Sequence, residues 1–291
     1  MHIPVLLNEV LEYLNPKPGE NFIDCTFGFG GHSLAILEKN KPEGTVIGIE
    51  QDKEILEKFT NKNKRLDLVE GNFKNLKEIV KKNEFFKFNK ISGVLFDLGV
   101  SSWHFDKSGR GFSFQTNEPL MMNCSEGGLN AEEIVNQWSK EELIRIFREY
   151  GEERFASRIA ELIYLNRQKE KIKTTEQLVD IIRLAIPRKY RHGRIHFATR
   201  TFQALRIEIN NELDNLRKAL PQALEVLEKG GRLVVISFHS LEDRIVKHSF
   251  RELASEGRIK ILTKKPIIPS EEEINLNSRS RSAKLRAAIK I

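Results

Sequence analysis

Short β-type runs alternate with amphipathic helical stretches through the first hundred residues, and that alternation constrains the fold more than any other feature. NFIDC (21–25), TVIGIE (45–50), LDLVE (66–70) and SGVLFDL (92–98) are apolar, β-branched runs, each long enough for one strand. Strands spaced by helices predict an α/β fold, a Rossmann-like parallel sheet covered by helices. After Gly99 the rhythm changes. A polar, glycine-bearing loop over 101–128 leads to apolar residues at helical spacing, Phe155, Ile159, Leu162 and Ile163. Within this stretch TTEQLVDIIRLAIP carries a capping-box signature, Thr174 with Gln177, and Pro187 stands as its stop. The α/β pattern returns with a long helix expected from about Phe202 to Leu227, a turn at Gly230-Gly231 and the strand RLVVISF (232–238). The tail NSRSRSAKLRAAIKI ends in an alternation suited to a last strand. The expected organisation is a sheet core at 1–105 and 196–291 with an inserted helical domain at 106–195.

Composition excludes several other classes. Hydrophobic residues make up 40% and charged residues 31%, a globular balance, and no apolar run is long enough to span a bilayer. The opening MHIPVLLNEVLEYL lacks the basic and apolar regions of a secretory signal, and two cysteines, Cys25 and Cys124, cannot make a disulfide framework. A reducing cytoplasm, with no membrane partner, is the expected setting. A net charge of +7 favours a polyanionic partner without identifying one.

Chemistry concentrates where strands end. In DCTFGFGGH (24–32) the first strand stops at Asp24, and Gly28, Gly30 and Gly31 lead into a helix, so backbone can approach a ligand closely. A dinucleotide fingerprint requires glycine at position 33, where Ser33 stands. Taken alone, the loop also fits a tight strand-to-helix turn with no ligand. Glu50 ends the next strand about 20 residues on, where an acidic side chain accepts ribose hydroxyls in such folds. Phe73, just past the third strand, fits a cover for adenine or a core residue. Asp97 closes the fourth strand at the edge where open α/β sheets bind ligands, and burying a carboxylate there without a partner is costly. The Asp-Pro-Pro-aromatic motif of many amino-group methyltransferases is absent, since Leu98 and Gly99 follow.

Eight collinear stretches carry a more specific signal: VLLNEVL (5–11), DCTFGFGGH, FDLGVSS, RGFSF (110–114), YGEERFASRIA (150–160), HFATRTFQALRIEIN (196–210), GGRLVVISFHSLEDRIVK (230–247) and NSRSRSAKLRA (277–287). Together they resemble the bacterial RsmH (MraW) family, which methylates N4 of a decoding-site cytosine in small-subunit ribosomal RNA. The resemblance implies a methyltransferase sheet with a helical insertion, S-adenosylmethionine as cofactor, and small-subunit ribosomal RNA or the small ribosomal subunit as partner; a homodimer stays open. It places cofactor contacts on Gly30, Gly31, His32, Glu50, Phe73, Asp97 and His104, with Asp97 also the candidate catalytic residue. Glu50 stands where the family usually has aspartate, and His104 where it usually has glutamine. At NEPLMMNCSEG (117–127), Met121, Asn123 and Ser125 take the places of two acids and an arginine.

The segment 183–206 holds Arg183, Arg188, Lys189, Arg191, Arg194, Arg200 and Arg206 with no acid, interleaved with Tyr190, Phe197 and Phe202. Cations can hold phosphates and aromatic faces can stack an unpaired base. On charge alone a solvated basic face is an equal alternative. With the resemblance, Arg191, Arg194, Arg200 and Arg206 become candidate RNA contacts. His239, Glu242 and Asp243 form a polar cluster after the fifth strand, suited either to the site or to capping the next helix. Two other classes stay in view: a nicotinamide dehydrogenase, opposed by Ser33, and a non-catalytic RNA-binding factor, kept alive by the altered 117–127 loop. No metal site is expected.

Overall fold

The computed structural model describes residues 4–61, 63–83, 90–125, 127–193 and 195–291. It divides into two compact units, one of residues 1–99 with 213–291 and the other of residues 100–212. Packing therefore groups 100–105 and 196–212 with the helical unit rather than with the sheet.

The first unit is built on one sheet. Its strands are β1 (Phe22–Asp24), β2 (Val46–Glu50), β3 (Leu66–Glu70), β4 (Ile91–Asp97), β5 (Leu227–Ser237), β6 (Ile259–Ile261) and β7 (Lys284–Lys290). Their order is β3-β2-β1-β4-β5-β7-β6. The first five run parallel, whereas β7 pairs antiparallel with both β5 and β6. Successive side chains on a strand point to opposite faces, and the core divides accordingly. Ile23, Ile47, Val94, Phe96, Leu233 and Val235 enter one buried cluster. Phe22, Val46, Leu95, Val234 and Ile236 enter a second. Both faces are covered, which is why these strands read as continuous apolar runs.

The second unit is helical, with a single buried cluster drawn from residues between Phe112 and Ile209. The expected capping box is present: Thr174 and Gln177 reciprocate at the start of the helix Thr175–Ala185. The long helix expected from Phe202 to Leu227 is instead two helices, Thr199–Asn210 and Glu212–Val226. Asn211, at φ +50°, breaks them in a left-handed turn that asparagine tolerates. Phe202, Leu205 and Ile209 of the first helix pack into the helical unit, so the break coincides with the boundary between units. The expected turn at Gly230-Gly231 lies within β5, where Gly230 takes φ +85°.

The middle of the departed 117–127 loop, Leu120 and Met122 to Cys124, is buried in the helical unit, whereas Met121 and Ser125 are exposed. Met122 and Cys124 are buried. Asn210 clamps both positions, donating to the Met122 carbonyl at 2.8 Å and accepting the Cys124 N–H at 2.9 Å.

Candidate active site in the sheet unit

Four neighbouring parallel strands end in carboxylates at one edge: β3 in the exposed Glu70, β2 in Glu50, β1 in Asp24 and β4 in Asp97. Chain order reverses there, since β2 and β3 lie on one side of β1 and β4 on the other, and open α/β sheets bind ligands at such a point.

The glycine loop is stapled to both flanking strands. On one side, the Cys25 N–H donates to the Leu95 carbonyl at 2.9 Å, and the Asp97 N–H donates to Thr26 Oγ1 at 2.6 Å. On the other, the Phe27 N–H reaches the Ile49 carbonyl at 3.0 Å, and the Gly28 N–H donates to Glu50 Oε2 at 3.0 Å. Glu50 Oε1 also accepts the Asp52 N–H at 2.9 Å, so this buried carboxylate braces the loop and the start of the next helix together. Gly30, at φ +74°, cannot be replaced cheaply: an added Cβ would lie 2.7 Å from the Phe27 ring. A Cβ on Gly31 would meet Pro4 at 2.5 Å.

His32 opens the helix Gly31–Lys39 as a buried side chain, 6% exposed. Its Nε2 lies 3.5 Å from Asp97 Oδ2, an ion-pair distance that does not satisfy hydrogen-bond geometry. Among the described residues neither ring nitrogen of His32 has a hydrogen-bond partner, and Asp97 Oδ1 has none either. Burial of the imidazole opposes its protonation, but the carboxylates of Asp97, Asp24 and Glu273 more than offset this and hold it above its ordinary range. Burial pushes the Asp24 carboxyl up, although His32 and a 2.7 Å bond from Ser33 Oγ pull the other way. Position 33, where serine broke the dinucleotide fingerprint, is thus a hydrogen-bond donor that anchors Asp24.

Phe73 lies in the turn Phe73–Asn75, half-buried and edge-on to Phe96 at 5.5 Å. Structure therefore brings together Gly30, Gly31, His32, Glu50 and Asp97, with Phe73 just beyond β3. His104 is the remaining candidate contact. That residue belongs to the helical unit, on the helix Ser102–Asp106, with its ring against Trp103 and Phe112 and Nδ1 3.0 Å from Ser101 Oγ. Asp24 was not singled out as a site residue from sequence, although it ends its strand just as Asp97 does.

The polar cluster after β5 caps a helix, and the buried His239 Nε2, 3.2 Å from Glu242 Oε1, has no hydrogen-bond partner among the described residues. His239 and Glu242 form the capping box of the helix Ser240–Ser255, and Asp243 makes a two-pronged ion pair with Arg286. In the helical unit, Arg206 holds Glu212 through two bonds of 2.8 and 3.0 Å. Arg200 donates to the Glu152 carbonyl, and Arg191 Nε to that of Ile186. Arg194 lies outside the described residues.

Comparison with known proteins shows one consistent relationship. Residues 1–291 match the family model described as the MraW methylase family. Proteins named ribosomal RNA small subunit methyltransferase H are similar over the whole chain. That of Persephonella marina is 48% identical over 295 residues, covering 100% of this chain and 99% of its own. Those of Heliobacterium mobile and Clostridioides difficile are 47% and 45% identical, each with 100% of this chain and 99% of theirs covered.

Proposed function

The chain belongs to the MraW methylase family and is a methyltransferase that uses S-adenosylmethionine on small-subunit ribosomal RNA, and we propose that the acceptor atom is the N4 amino nitrogen of a cytosine in the decoding region. The observation that carries the placement of chemistry is the His32–Asp97 pair at the sheet's carboxyl edge, where both ring nitrogens of buried His32 and Oδ1 of Asp97 lack hydrogen-bond partners among the described residues. Buried polar atoms are nearly always satisfied, so these are the atoms a ligand would complete.

The cofactor fits this edge. Glu50, with roughly four acceptor positions on its carboxylate, can serve the ribose hydroxyls as well as its two backbone donors, and Gly30 and Gly31 let the loop pack against Phe27 and Pro4 where a Cβ would collide. His32 and Asp97 would offer their unpartnered polar atoms to the remaining groups, and Phe73 an apolar face. S-adenosylmethionine supplies an electrophilic methyl group on a sulfonium.

The chain's own part is position and charge. A cytosine amino group is a poor nucleophile because its lone pair is delocalised into the ring. Asp97, accepting one of its N–H bonds, would turn the nitrogen toward tetrahedral geometry and localise that lone pair. Methylation leaves the nitrogen with a surplus proton, which the Asp97 carboxylate, backed by His32, would receive.

Methylation at ring carbon C5 would ordinarily need a cysteine nucleophile. Both cysteines are buried, and burial pushes the Cys25 thiol well up, away from the reactive thiolate. Cys124 is walled into the helical core. The test is to methylate small-subunit RNA with the purified protein, digest it and identify the nucleoside by mass spectrometry. N4-methylcytidine is expected, also from the Cys25→Ser, Cys124→Ser double variant. Recovery of 5-methylcytidine, or loss of transfer in that variant, would overturn the reading.

A further inference from the structure

The basic segment of the helical unit does not present its cations evenly. Arg206 is 15% exposed and closed on Glu212, and Arg183 pairs with Asp180 at 2.7 Å. Arg200 and Arg191 spend donors on backbone carbonyls within the unit. The turn Arg188–Tyr190 behaves differently. Pro187 ends the preceding helix and opens a tight turn closed by the Tyr190 N–H on the Pro187 carbonyl at 2.9 Å; none of the turn's residues is buried. Arg191 Nε, bonded to the Ile186 carbonyl at 2.9 Å, pins the turn's base.

Tyr190 projects from this turn 41% exposed, a large exposure for an aromatic ring that is also packed. Its ring meets Phe155 at 5.4 Å, tilted by 47°. The exposed Arg154 guanidinium lies over both rings, 5.2 Å from the Tyr190 centroid and 5.7 Å from that of Phe155. Lys189 Nζ lies 5.0 Å from the Tyr190 ring. Two separate stretches of chain thus build one surface feature: a solvent-facing aromatic ring flanked by exposed cations.

We propose that Tyr190, with Arg154 and Lys189, is a stacking platform for one unpaired base of the RNA, the two cations holding the adjoining phosphates. The proposal rests on the reading of the chain as an RNA methyltransferase and adds to it an RNA subsite on the helical unit. Its occupant follows from chemistry. An aromatic face accepts any base by stacking, a guanidinium plane extends that face, and flanking cations complement the phosphate backbone. The lysine is a flexible, exposed cover that can swing from the ring to a phosphate as the base arrives.

The experiment uses the full chain and a fluorescein-labelled single-stranded RNA, with affinity read by anisotropy across a salt series and, in parallel, KM and kcat for small-subunit RNA. Tyr190→Ala should weaken RNA binding by roughly 5- to 100-fold, the range of one lost base stack, and raise KM with kcat little changed at saturating RNA. Tyr190→Phe should keep wild-type affinity. Tyr190→Leu, which retains bulk but has no π face, should behave like alanine and guards against a mere packing loss. Arg154→Ala and Lys189→Ala should each reduce the salt slope by about 0.7. If Tyr190→Ala and Tyr190→Leu bind RNA as tightly as wild type while wild-type protein methylates it, the platform is overturned and the methyltransferase reading stands. If wild-type protein neither binds nor methylates RNA, both fall.

Discussion

The sheet edge of the first unit and the basic segment of the second carry functional information in opposite ways. At the sheet edge, some buried polar atoms have no hydrogen-bond partner among the described residues: both ring nitrogens of His32 and one oxygen of Asp97. In the basic segment charge is abundant, yet Arg206, Arg200, Arg191 and Arg183 all hold bonds within their own unit. An unsatisfied buried atom points to a ligand because burial without a partner costs free energy. A surface cation points to nothing until its own partners are known, because many exposed ion pairs contribute little and exist without function. Density of charge along the sequence is therefore a weaker guide than satisfaction in space.

The sharpest way to break this contrast is at Asp97. Asp97→Ala, assayed at saturating S-adenosylmethionine, should lower methyl transfer by roughly 10²–10³-fold, the loss expected for one preorganised electrostatic contact at a reacting centre. Saturation separates a chemical loss from a binding loss. A variant that folds and keeps the wild-type rate would remove Asp97 from the chemistry.

Next in size is Glu50→Ala. Losing a charged acceptor should cost about 1.5–3 kcal/mol of cofactor affinity, about ten- to a hundred-fold by calorimetry. The same change frees the Gly28 and Asp52 N–H groups that Glu50 now holds, so the loop loses its brace as well as its ribose acceptor. Unaltered affinity would show that the second strand's carboxylate is a brace alone.

On the other side of the contrast, Arg206→Ala should act on stability. Breaking a largely buried, two-pronged pair with Glu212 should cost about 1.5–3 kcal/mol in chemical denaturation. The salt slope of RNA binding should hardly move. A flattened slope with unchanged stability would instead make Arg206 a phosphate ligand.

A smaller effect should appear in the pH dependence of the cofactor-free protein. His32 is held above its ordinary value of 6.5, so its contribution to stability is present below that value and lost as pH rises through the folded-state value. Asp24, also raised, works in the same direction, because its protonated form is favoured in the fold. Melting temperature should therefore decline as pH rises from about 6.5, and Asp97→Asn should flatten the decline by removing the partner nearest His32. A melting temperature that rises over that range would mean the pair is arranged otherwise.

Much of the fold was legible in sequence because its signals are local. Four of the strands sit within a residue or two of the apolar runs that announced them, and Thr174 with Gln177 capped the expected helix. The break at Asn211 was not legible, since helical periodicity continues across it and only the left-handed backbone of one residue interrupts it. Nor was the antiparallel insertion of β7 between β5 and β6, which depends on pairing far apart in the chain. At the site, the glycines, Glu50 and Asp97 were visible as strand-end residues. Asp24 and Ser33 were not singled out, because a serine at position 33 reads as a missing glycine until its hydroxyl is seen on Asp24. Nor could sequence say which cations of the acid-free stretch 183–206 are engaged, since Asp180 and Glu212, which pair with Arg183 and Arg206, stand outside it.

The central claim, that the unpartnered atoms of His32 and Asp97 mark the ligand pocket, is tested most directly by nitrogen NMR of the histidine rings, with His32→Gln used for assignment. Addition of S-adenosylmethionine should move both ring nitrogens of His32 and change the pH at which the ring titrates. Resonances of His32 that stay put while calorimetry registers a bound cofactor would contradict it.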